Sequence, residues 1–263
     1  MPIGGDRRNR VTAGYTRSCT VTIFRINPNL TITEQPIADG QFCVIVDDFL
    51  LEPRDIIAYA REHAGEFERQ LQGYPGVLMD IDNRRLSEID QFIRSQMSRR
   101  FSFCRGNMHH SAHISMTTLR PDELNWGQRY CHTDPQTEPG RLNFAALLYL
   151  FEDEALGGTS FYRWKEEALL QRAAAIGATD GAGALAFLQQ HFEMFRAPAT
   201  YMTGSNEVAE LLHVVPARFN RLVFYSGDLP HSAYIREPKL LSDDVRTGRL
   251  TLNYFASVVP KGA

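Results

Sequence analysis

Short stretches of β-strand character, arranged in two groups, constrain the fold of this chain more than any other feature of its sequence. Strands are expected at 114–119, 128–131, 141–150 and 159–162, and again at 209–215, 221–225, 232–235 and 249–258. Between the groups, residues 164–206 are Ala-rich and follow a helical pattern at 166–175 and 183–195. Roughly eight strands with one helical insert predict a mainly β protein whose core is a double-stranded β-helix, or jelly roll. A parallel α/β sheet fits less well, because helices do not alternate with strands.

The remainder of the chain predicts one domain with flanking helices. Residues 1–18 are polar and predict a disordered N-terminus, and residues 19–263 predict a single domain. Within that domain, residues 19–112 hold strands and bracing helices, and residues 113–258 hold the jelly-roll core with its 164–206 insert. The expected N-terminal elements are strands at 20–26 and 41–46 and helices at 51–63 and 87–101.

Composition and charge narrow the kinds of ligand and partner that this protein is expected to have. The net charge is -3 and the basic residues are dispersed among acids, so nucleic acid is not an expected partner. No apolar run approaches transmembrane length, so no membrane partner is expected either. The four cysteines show neither paired nor metal-binding spacing, which predicts reduced thiols in a cytoplasmic protein. The expected ligand is a small molecule, and the oligomeric state is not indicated.

A candidate metal site begins with His132 and Asp134, two residues apart at the end of an expected strand. Side chains at positions i and i+2 of a strand point the same way, so an imidazole and a carboxylate can reach one ion. A similar pair, His191 and Glu193, lies in a helical segment where the two side chains diverge. We therefore favour His132 and Asp134, although the pair alone is a weak signal.

The third ligand is expected to be His231, which follows the apolar strand at 221–225 and a turn. Two histidines and one carboxylate can hold one face of a ferrous ion and leave positions open. His213 lies within a strand and is more simply a buried structural residue. The cluster of His109, His110 and His113 has no carboxylate nearby in sequence, which favours an ordinary surface or structural role.

Arg249 opens the last strand and could bind an acidic co-substrate. Alternation places Arg249, Thr251 and Asn253 on one face of this strand. A dicarboxylate 2-oxo acid that chelates iron would need a cation for its far carboxylate, and Arg offers a planar bidentate partner. Alternatively, Arg249 is exposed or paired with Asp243 or Asp244. Arg246 is a rival candidate in the preceding loop.

Taken in order, these motifs resemble those of the iron(II)/2-oxoglutarate-dependent dioxygenase superfamily. The similarity is closest to its prolyl-4-hydroxylase-like branch and to uncharacterised bacterial proteins within it. It covers residues 114–258. The matching residues are His132-Thr133-Asp134, the apolar strand at 148–150, Gly157-Gly158, the strand at 222–224, His231 and Arg249-Leu250-Thr251. Many relatives also place a Tyr on an early strand against 2-oxoglutarate, and the sequence does not identify such a residue here.

The resemblance implies an Fe(II)- and 2-oxoglutarate-dependent dioxygenase in which His132, Asp134 and His231 hold the iron. Arg249 and Thr251 would bind the co-substrate, and O2 would be consumed with release of succinate and CO2. The presence of Asp134 favours a hydroxylase over a halogenase, acting on an amino-acid-like compound or a natural-product intermediate. Arg163, Trp164 and Tyr130 are candidates for substrate recognition. The alternative is a non-oxidative cupin-type metal-binding sensor or isomerase, which would not need Arg249.

Overall fold

Eleven strands in two sheets frame the part of the protein that the structure, a computed structural model, describes: residues 23–69, 73–136 and 138–262. In chain order the strands are β1 (Thr31–Ala38), β2 (Gln41–Asp47), β3 (Glu68–Arg69), β4 (Gly76–Asp80), β5 (His109–Thr117), β6 (Leu142–Tyr149), β7 (Gly158–Trp164), β8 (Ala209–Val215), β9 (Leu222–Ser226), β10 (His231–Tyr234) and β11 (Arg249–Val258). The larger sheet has the order β1-β2-β9-β6-β11-β5-β4-β3, and the smaller sheet has the order β10-β7-β8.

The order of the strands is that of a jelly roll. In the larger sheet, β5, β11, β6 and β9 lie side by side, and β7, β8 and β10 form the smaller sheet. A fourth segment joins the smaller sheet through a single antiparallel bridge between His132 and His231. The core therefore has two layers of four: these four strands of the larger sheet, and the smaller sheet with the added segment. The chain passes repeatedly from one layer to the other, as in a double-sheet jelly roll. Every pairing between the named strands is antiparallel, and the predicted fold class is confirmed.

The N-terminal strands differ from the sequence prediction. Of the expected strand at 20–26, residues 20–22 lie outside the described part, and within 23–26 only Ile26 forms an isolated bridge, to Leu50. An alternating apolar pattern does not by itself give a segment a neighbouring strand to hydrogen-bond with. Here β1 forms this edge of the sheet. The sequence did not predict β1, whose largely exposed face and Pro36 suit an edge strand. The expected disordered segment 1–18 also lies outside the described residues.

Helices cover the outer face of the larger sheet. Helix α1 (Pro53–Glu62) begins at a proline, which fits the first turn of a helix, and it buries Ile56 and Ala60. The predicted 87–101 helix consists of α2 (Ser87–Phe92), a π-helical turn (Ile93–Met97) and α3 (Ser98–Arg100). Its expected apolar face is buried, and each such side chain contributes about 1.5–3 kcal/mol. The inner face packs against the smaller sheet, through contacts such as Phe161 on Tyr225.

The insert between β7 and β8 contains α4 (Glu167–Gly177) and α5 (Gly181–His191). The Asp180 carboxylate accepts a hydrogen bond from the Gly183 amide at 2.8 Å and caps α5. Gly177 packs so closely on the Trp126 indole that a Cβ there would lie 2.5 Å from the ring. The insert therefore packs beside the segment that carries His132. Among the described residues, no helix has the length and apolar character needed to span a bilayer.

Candidate metal centre and adjoining cavity

Three side chains from distant parts of the sequence meet at one point. The His132 amide donates to the His231 carbonyl at 2.9 Å, and the His231 amide donates to the His132 carbonyl at 2.8 Å. The Asp134 amide donates to the Gly227 carbonyl at 2.8 Å. One ligand atom from each of His132, Asp134 and His231 lies within 4.8 Å of the others. Within the described ranges, no other three His, Cys, Asp or Glu side chains form such a group.

The protonation states at this point suit a metal ion. Nδ1 of His231 lies 2.9 Å from the Leu229 carbonyl oxygen, so we assign the proton to Nδ1 and a lone pair to Nε2. Burial of its ring lowers the pKa of His231 to about 4. Desolvation and the nearby His231 ring lower the pKa of His132 to about 4, although the residue as a whole is exposed. The 3.7 Å contact between His231 Nε2 and Asp134 Oδ1 therefore brings two electron-rich atoms together and is not an ion pair.

The charged form of the Asp134 carboxylate is poorly stabilised by the described residues around it. Burial raises the pKa of its carboxyl to about 6, and Oδ2 has no hydrogen-bond partner among the described residues. An unpartnered carboxylate in a buried position is costly. A divalent ion between the two histidines and this carboxylate would remove the cost. The residues therefore fit a two-histidine, one-carboxylate metal site with open coordination positions.

A cavity of about 380 Å³ connects this site to Arg249. Arg249 is 1% exposed and donates to the carbonyl oxygens of Gly157 and Gly158 at 3.3 and 2.9 Å. A third contact reaches Thr117 Oγ1 at 3.4 Å. Hence all the hydrogen bonds of this guanidinium with described residues are to neutral oxygens. A buried cation of this kind is complementary to a carboxylate ligand.

The Gly157-Gly158 pair makes this arrangement possible. Gly157 has a φ of +88°, and a Cβ there would lie 1.9 Å from the Tyr234 carbonyl oxygen. A Cβ on Gly158 would lie 1.9 Å from the Val215 carbonyl oxygen. Only glycine fits either position without a shift of the neighbouring backbone.

Thr251 and Asn253 follow Arg249 on the same face of β11. Asn253 lines the cavity, whereas Thr251 is fully buried and does not reach the cavity wall. The Thr251 hydroxyl nevertheless has no hydrogen-bond partner among the described residues. It lies near the Arg249 end of the cavity, and its role in co-substrate binding stays a prediction.

Tyr74 is a site residue that the sequence did not reveal. Its hydroxyl lies 2.9 Å from Thr117 Oγ1, and its ring lines the cavity beside Arg249. Burial raises its pKa, while the Arg249 charge acts in the opposite direction. The residue reaches the site because Gly76, where a Cβ would lie 2.0 Å from the Met116 carbonyl oxygen, lets β4 approach β5 closely.

The other sequence candidates lie elsewhere. Arg246 is exposed and donates to Asp244 at 3.0 Å, which removes it as a rival to Arg249. His191 lies on α5, where its Nδ1 contacts the Phe187 carbonyl at 2.8 Å. Arg163 is exposed and paired with Asp39 and Glu210.

The β5 histidines correct one expectation. We expected no carboxylate near them, yet each ring has one at 2.6–3.3 Å because β5 lies close to other acidic segments in the fold. The pairs are His109 with Glu138, His110 with Asp90 and His113 with Asp80.

Cys131 and Thr133, on either side of His132 in the sequence, differ in burial. Strand alternation would place both on the reverse side of the strand, away from His132 and Asp134. Cys131 is fully buried against the insert, but Thr133 is exposed, because regular pairing ends at His132.

Comparisons with known proteins were made for the sequence and for the fold. No curated protein sequence matches significantly. HygX from Streptomyces hygroscopicus, solved with nickel and 2-oxoglutarate, is 11% identical, with 85% of this chain and 84% of that chain covered and a TM-score of 0.46. A prolyl 4-hydroxylase from Phytophthora capsici is 13% identical, with coverages of 84% and 60% and a TM-score of 0.41. The 2-oxoglutarate-dependent epimerase SnoN from nogalamycin biosynthesis is 12% identical, with coverages of 84% and 81% and a TM-score of 0.43.

These TM-scores lie below 0.5, so the function is inferred from the site of this chain itself. A family model matches far more directly. It covers residues 28–256, nearly all of the described chain, and its description is a family of unknown function, DUF6445. The chain therefore belongs to the DUF6445 family.

Proposed function

We propose that this protein is an Fe(II)- and 2-oxoglutarate-dependent oxygenase that acts on a small molecule. One observation carries the proposal. A single cavity has the His132, Asp134 and His231 group in its wall, together with a buried Arg249 whose partners among the described residues are all neutral. A metal ion and a dicarboxylate oxo acid would satisfy these two ends together.

The metal-binding residues are held in place before an ion binds. The Leu229 carbonyl fixes the tautomer and the orientation of His231, so that Nε2 is free to bind metal. Two neutral imidazoles and one carboxylate suit ferrous iron and leave coordination positions open. When bound, Fe(II) with 2-oxoglutarate and O2 would supply the oxidising power for attack on an unactivated C–H bond, with release of succinate and CO2.

The opposite end of the cavity would bind the far carboxylate of the oxo acid. Arg249 offers two parallel N–H donors, and its burial strengthens a charged hydrogen bond. Tyr74 adds a hydroxyl beside the guanidinium, and Thr251 contributes a second hydroxyl behind it. Arg249 and Tyr74 are our candidates for direct contact with the co-substrate, and Thr251 is our candidate for a supporting role behind the cavity wall.

Hydroxylation is the reaction we favour, because Asp134 occupies the position that a halogenase leaves open for chloride. Desaturation and cyclisation would use the same residues. A metal-binding sensor or isomerase is a weaker candidate, because neither would need a buried cation at the far end of the cavity.

Iron binding tests the first half of the proposal. We expect protein reconstituted without oxygen to retain stoichiometric iron, and the His231→Ala variant to lose most of it. His213→Ala is the matched control, because His213 lies on β8 outside the cavity wall and should leave iron content unchanged. Full iron content in His231→Ala would refute the ligand assignment.

Co-substrate turnover tests the second half. Without the true substrate, we expect slow conversion of 2-oxoglutarate to succinate by the iron-loaded protein. Asp134→Ala should abolish this conversion and keep its circular dichroism spectrum. Iron binding without any 2-oxoglutarate binding or turnover would instead favour the sensor or isomerase.

A further inference from the structure

We infer that the substrate enters the cavity as an uncharged, flat and largely apolar molecule. The inference rests on the proposed function, because it assigns Asp134 to the metal and Arg249 to the co-substrate. It goes beyond that function by naming the chemical class that the remaining wall can accept. Its basis is the charge, the hydrogen bonding and the shape of that wall.

No charged side chain among the described residues of the cavity wall is left to pair with a charged substrate. Among the described residues that line it, Asp134 and Arg249 are the only Asp, Glu, Lys or Arg side chains. The metal would neutralise Asp134, the oxo acid would neutralise Arg249, and imidazoles that coordinate a metal are neutral. An ammonium or carboxylate group on the substrate would then be buried without a partner, which is strongly unfavourable. A free amino acid, which carries both groups, is therefore a poor fit.

Few polar groups in the wall are free for a substrate. The Gln128 amide donates to the Tyr74 carbonyl at 3.3 Å and accepts from the Asn125 amide at 3.0 Å. The Tyr201 hydroxyl donates to the Leu119 carbonyl at 2.7 Å. Asn253 donates to Ser115 Oγ at 3.0 Å, but its Oδ1 has no partner among the described residues. The wall thus offers a few neutral groups for a hydrogen bond: the Asn253 amide oxygen and the hydroxyls of Tyr130 and Tyr225, for which the structure shows no partner among the described residues.

The sheet register builds an apolar slot beside the metal site. Tyr225 of β9, Ala145 of β6 and Phe255 of β11 lie in one row across three neighbouring strands, and all three line the cavity. Two interstrand spacings separate the aromatic residues by about 9–10 Å, and the small Ala145 side chain leaves room between them. The Tyr225 ring also contacts the His231 ring at a centroid distance of 4.8 Å. A flat ring in this slot would lie next to the candidate iron ligands.

Arg163, Trp164 and Tyr130, the sequence candidates for substrate recognition, do not oppose this inference. Arg163 is exposed and paired, and Trp164 does not line the cavity. Trp164 instead packs edge-to-face behind Tyr130 at 6.3 Å, and Phe195 of the insert packs behind it at 5.9 Å. Tyr130 therefore presents another braced aromatic surface to the cavity.

Three probes with one ring system test the inference: indole, which is neutral, indole-3-acetate, an anion, and tryptamine, a cation. Binding is measured by ligand-observed NMR on the full chain loaded with Zn(II) in place of iron and saturated with 2-oxoglutarate. We expect indole to bind at least tenfold more tightly than either charged probe. Equal binding of the three, tighter binding of a charged probe, or no binding of indole would overturn the inference.

A variant locates the bound ring. Ala145→Leu would fill the slot, so we expect at least a tenfold loss of indole affinity, with 2-oxoglutarate binding retained. Ala64→Leu, at an exposed position, is the matched control. Calorimetry of 2-oxoglutarate with wild-type protein separates the two hypotheses. If the wild type does not bind 2-oxoglutarate, the proposed function is refuted. If it binds 2-oxoglutarate but prefers a charged probe to indole, only the present inference is refuted.

Discussion

At the scale of single residues, Gly227 determines where the Asp134 carboxylate can lie. A Cβ at residue 227 would lie 3.0 Å from both Cβ and Oδ2 of Asp134, closer than side chains normally approach. We therefore expect Gly227→Ala to shift Asp134 by a few tenths of an ångström and to weaken iron binding roughly tenfold. An anaerobic iron titration measures the effect. Gly65→Ala, where a Cβ would meet nothing within 4 Å, should bind iron as the wild type does.

Arg249 allows a prediction that depends on shape and not on charge. Arg249→Lys keeps the positive charge but removes the planar pair of donors. We expect the dissociation constant for 2-oxoglutarate to rise at least tenfold, while iron content stays the same. Arg246→Lys is the matched control on the surface and should change neither quantity. A similar rise in both variants would show that the effect is not local to the cavity.

Sequence reasoning found the residues whose signal is local. His132 and Asp134 share a face by strand alternation, and Arg249 is a lone charge at the start of an apolar strand. Tyr74 and Gly227 carry no such signal. Tyr74 reaches the cavity only through the pairing of β4 with β5, and Gly227 meets Asp134 only when two distant loops come together. Such contacts depend on tertiary structure, so one sequence does not reveal them.

At the scale of elements, the insert is attached to the segment before His132 through Arg129. This buried guanidinium donates to the carbonyls of Met194 and Ala197 and lies over the Phe195 ring at 5.3 Å. We expect Arg129→Met to lower the free energy of unfolding by about 2 kcal/mol, because two carbonyls lose a charged donor. Urea denaturation measures the loss. The exposed Arg172, which lies over Phe187, provides the control Arg172→Met, for which we expect less than about 0.5 kcal/mol.

The elements predicted most accurately are two late strands and the helices of the insert. The predicted bounds of β8 and β11 agree with the structure, and both insert helices occur within a few residues of their expected positions. The expected strand at 128–131 contains instead a 3-10 turn (Trp126–Gln128), and pairing is limited to the bridge at His132. Tyr130 and Cys131 there pack against the insert, and a sequence pattern alone does not distinguish such packing from strand pairing.

At the scale of the whole molecule, the larger sheet has an acid-sensitive link. Asp47, at the end of β2, accepts hydrogen bonds from Arg221, which precedes β9, at 2.6 and 3.1 Å. These bonds are the main reason that the pKa of Asp47 lies below its ordinary value. The unfolded chain therefore binds this proton first as the pH falls. The link contributes fully above the ordinary pKa and is lost as the pH falls through the lower, folded value.

We expect the wild type to lose stability below about pH 5 more steeply than Asp47→Asn, in urea unfolding measured across a pH series. Arg221→Gln should also make the loss of stability below about pH 5 less steep, because the pKa of Asp47 would return toward its ordinary value. Parallel acid limbs in the wild type and both variants would show that other carboxyl groups control acid unfolding.

The reciprocal backbone pair between His132 and His231 has a consequence for metal loading. Two main-chain hydrogen bonds close this rung of the smaller sheet, so strand pairing, and not a bond to metal, sets the backbone positions of both imidazoles. The conformational entropy of assembling two of the three candidate ligands is thus lost during folding and not during metal uptake. We therefore expect a preorganised site, unlike that of a zinc finger, whose chain folds only around its metal. Iron supply would then control the fraction of molecules that are active, and not the fraction that are folded.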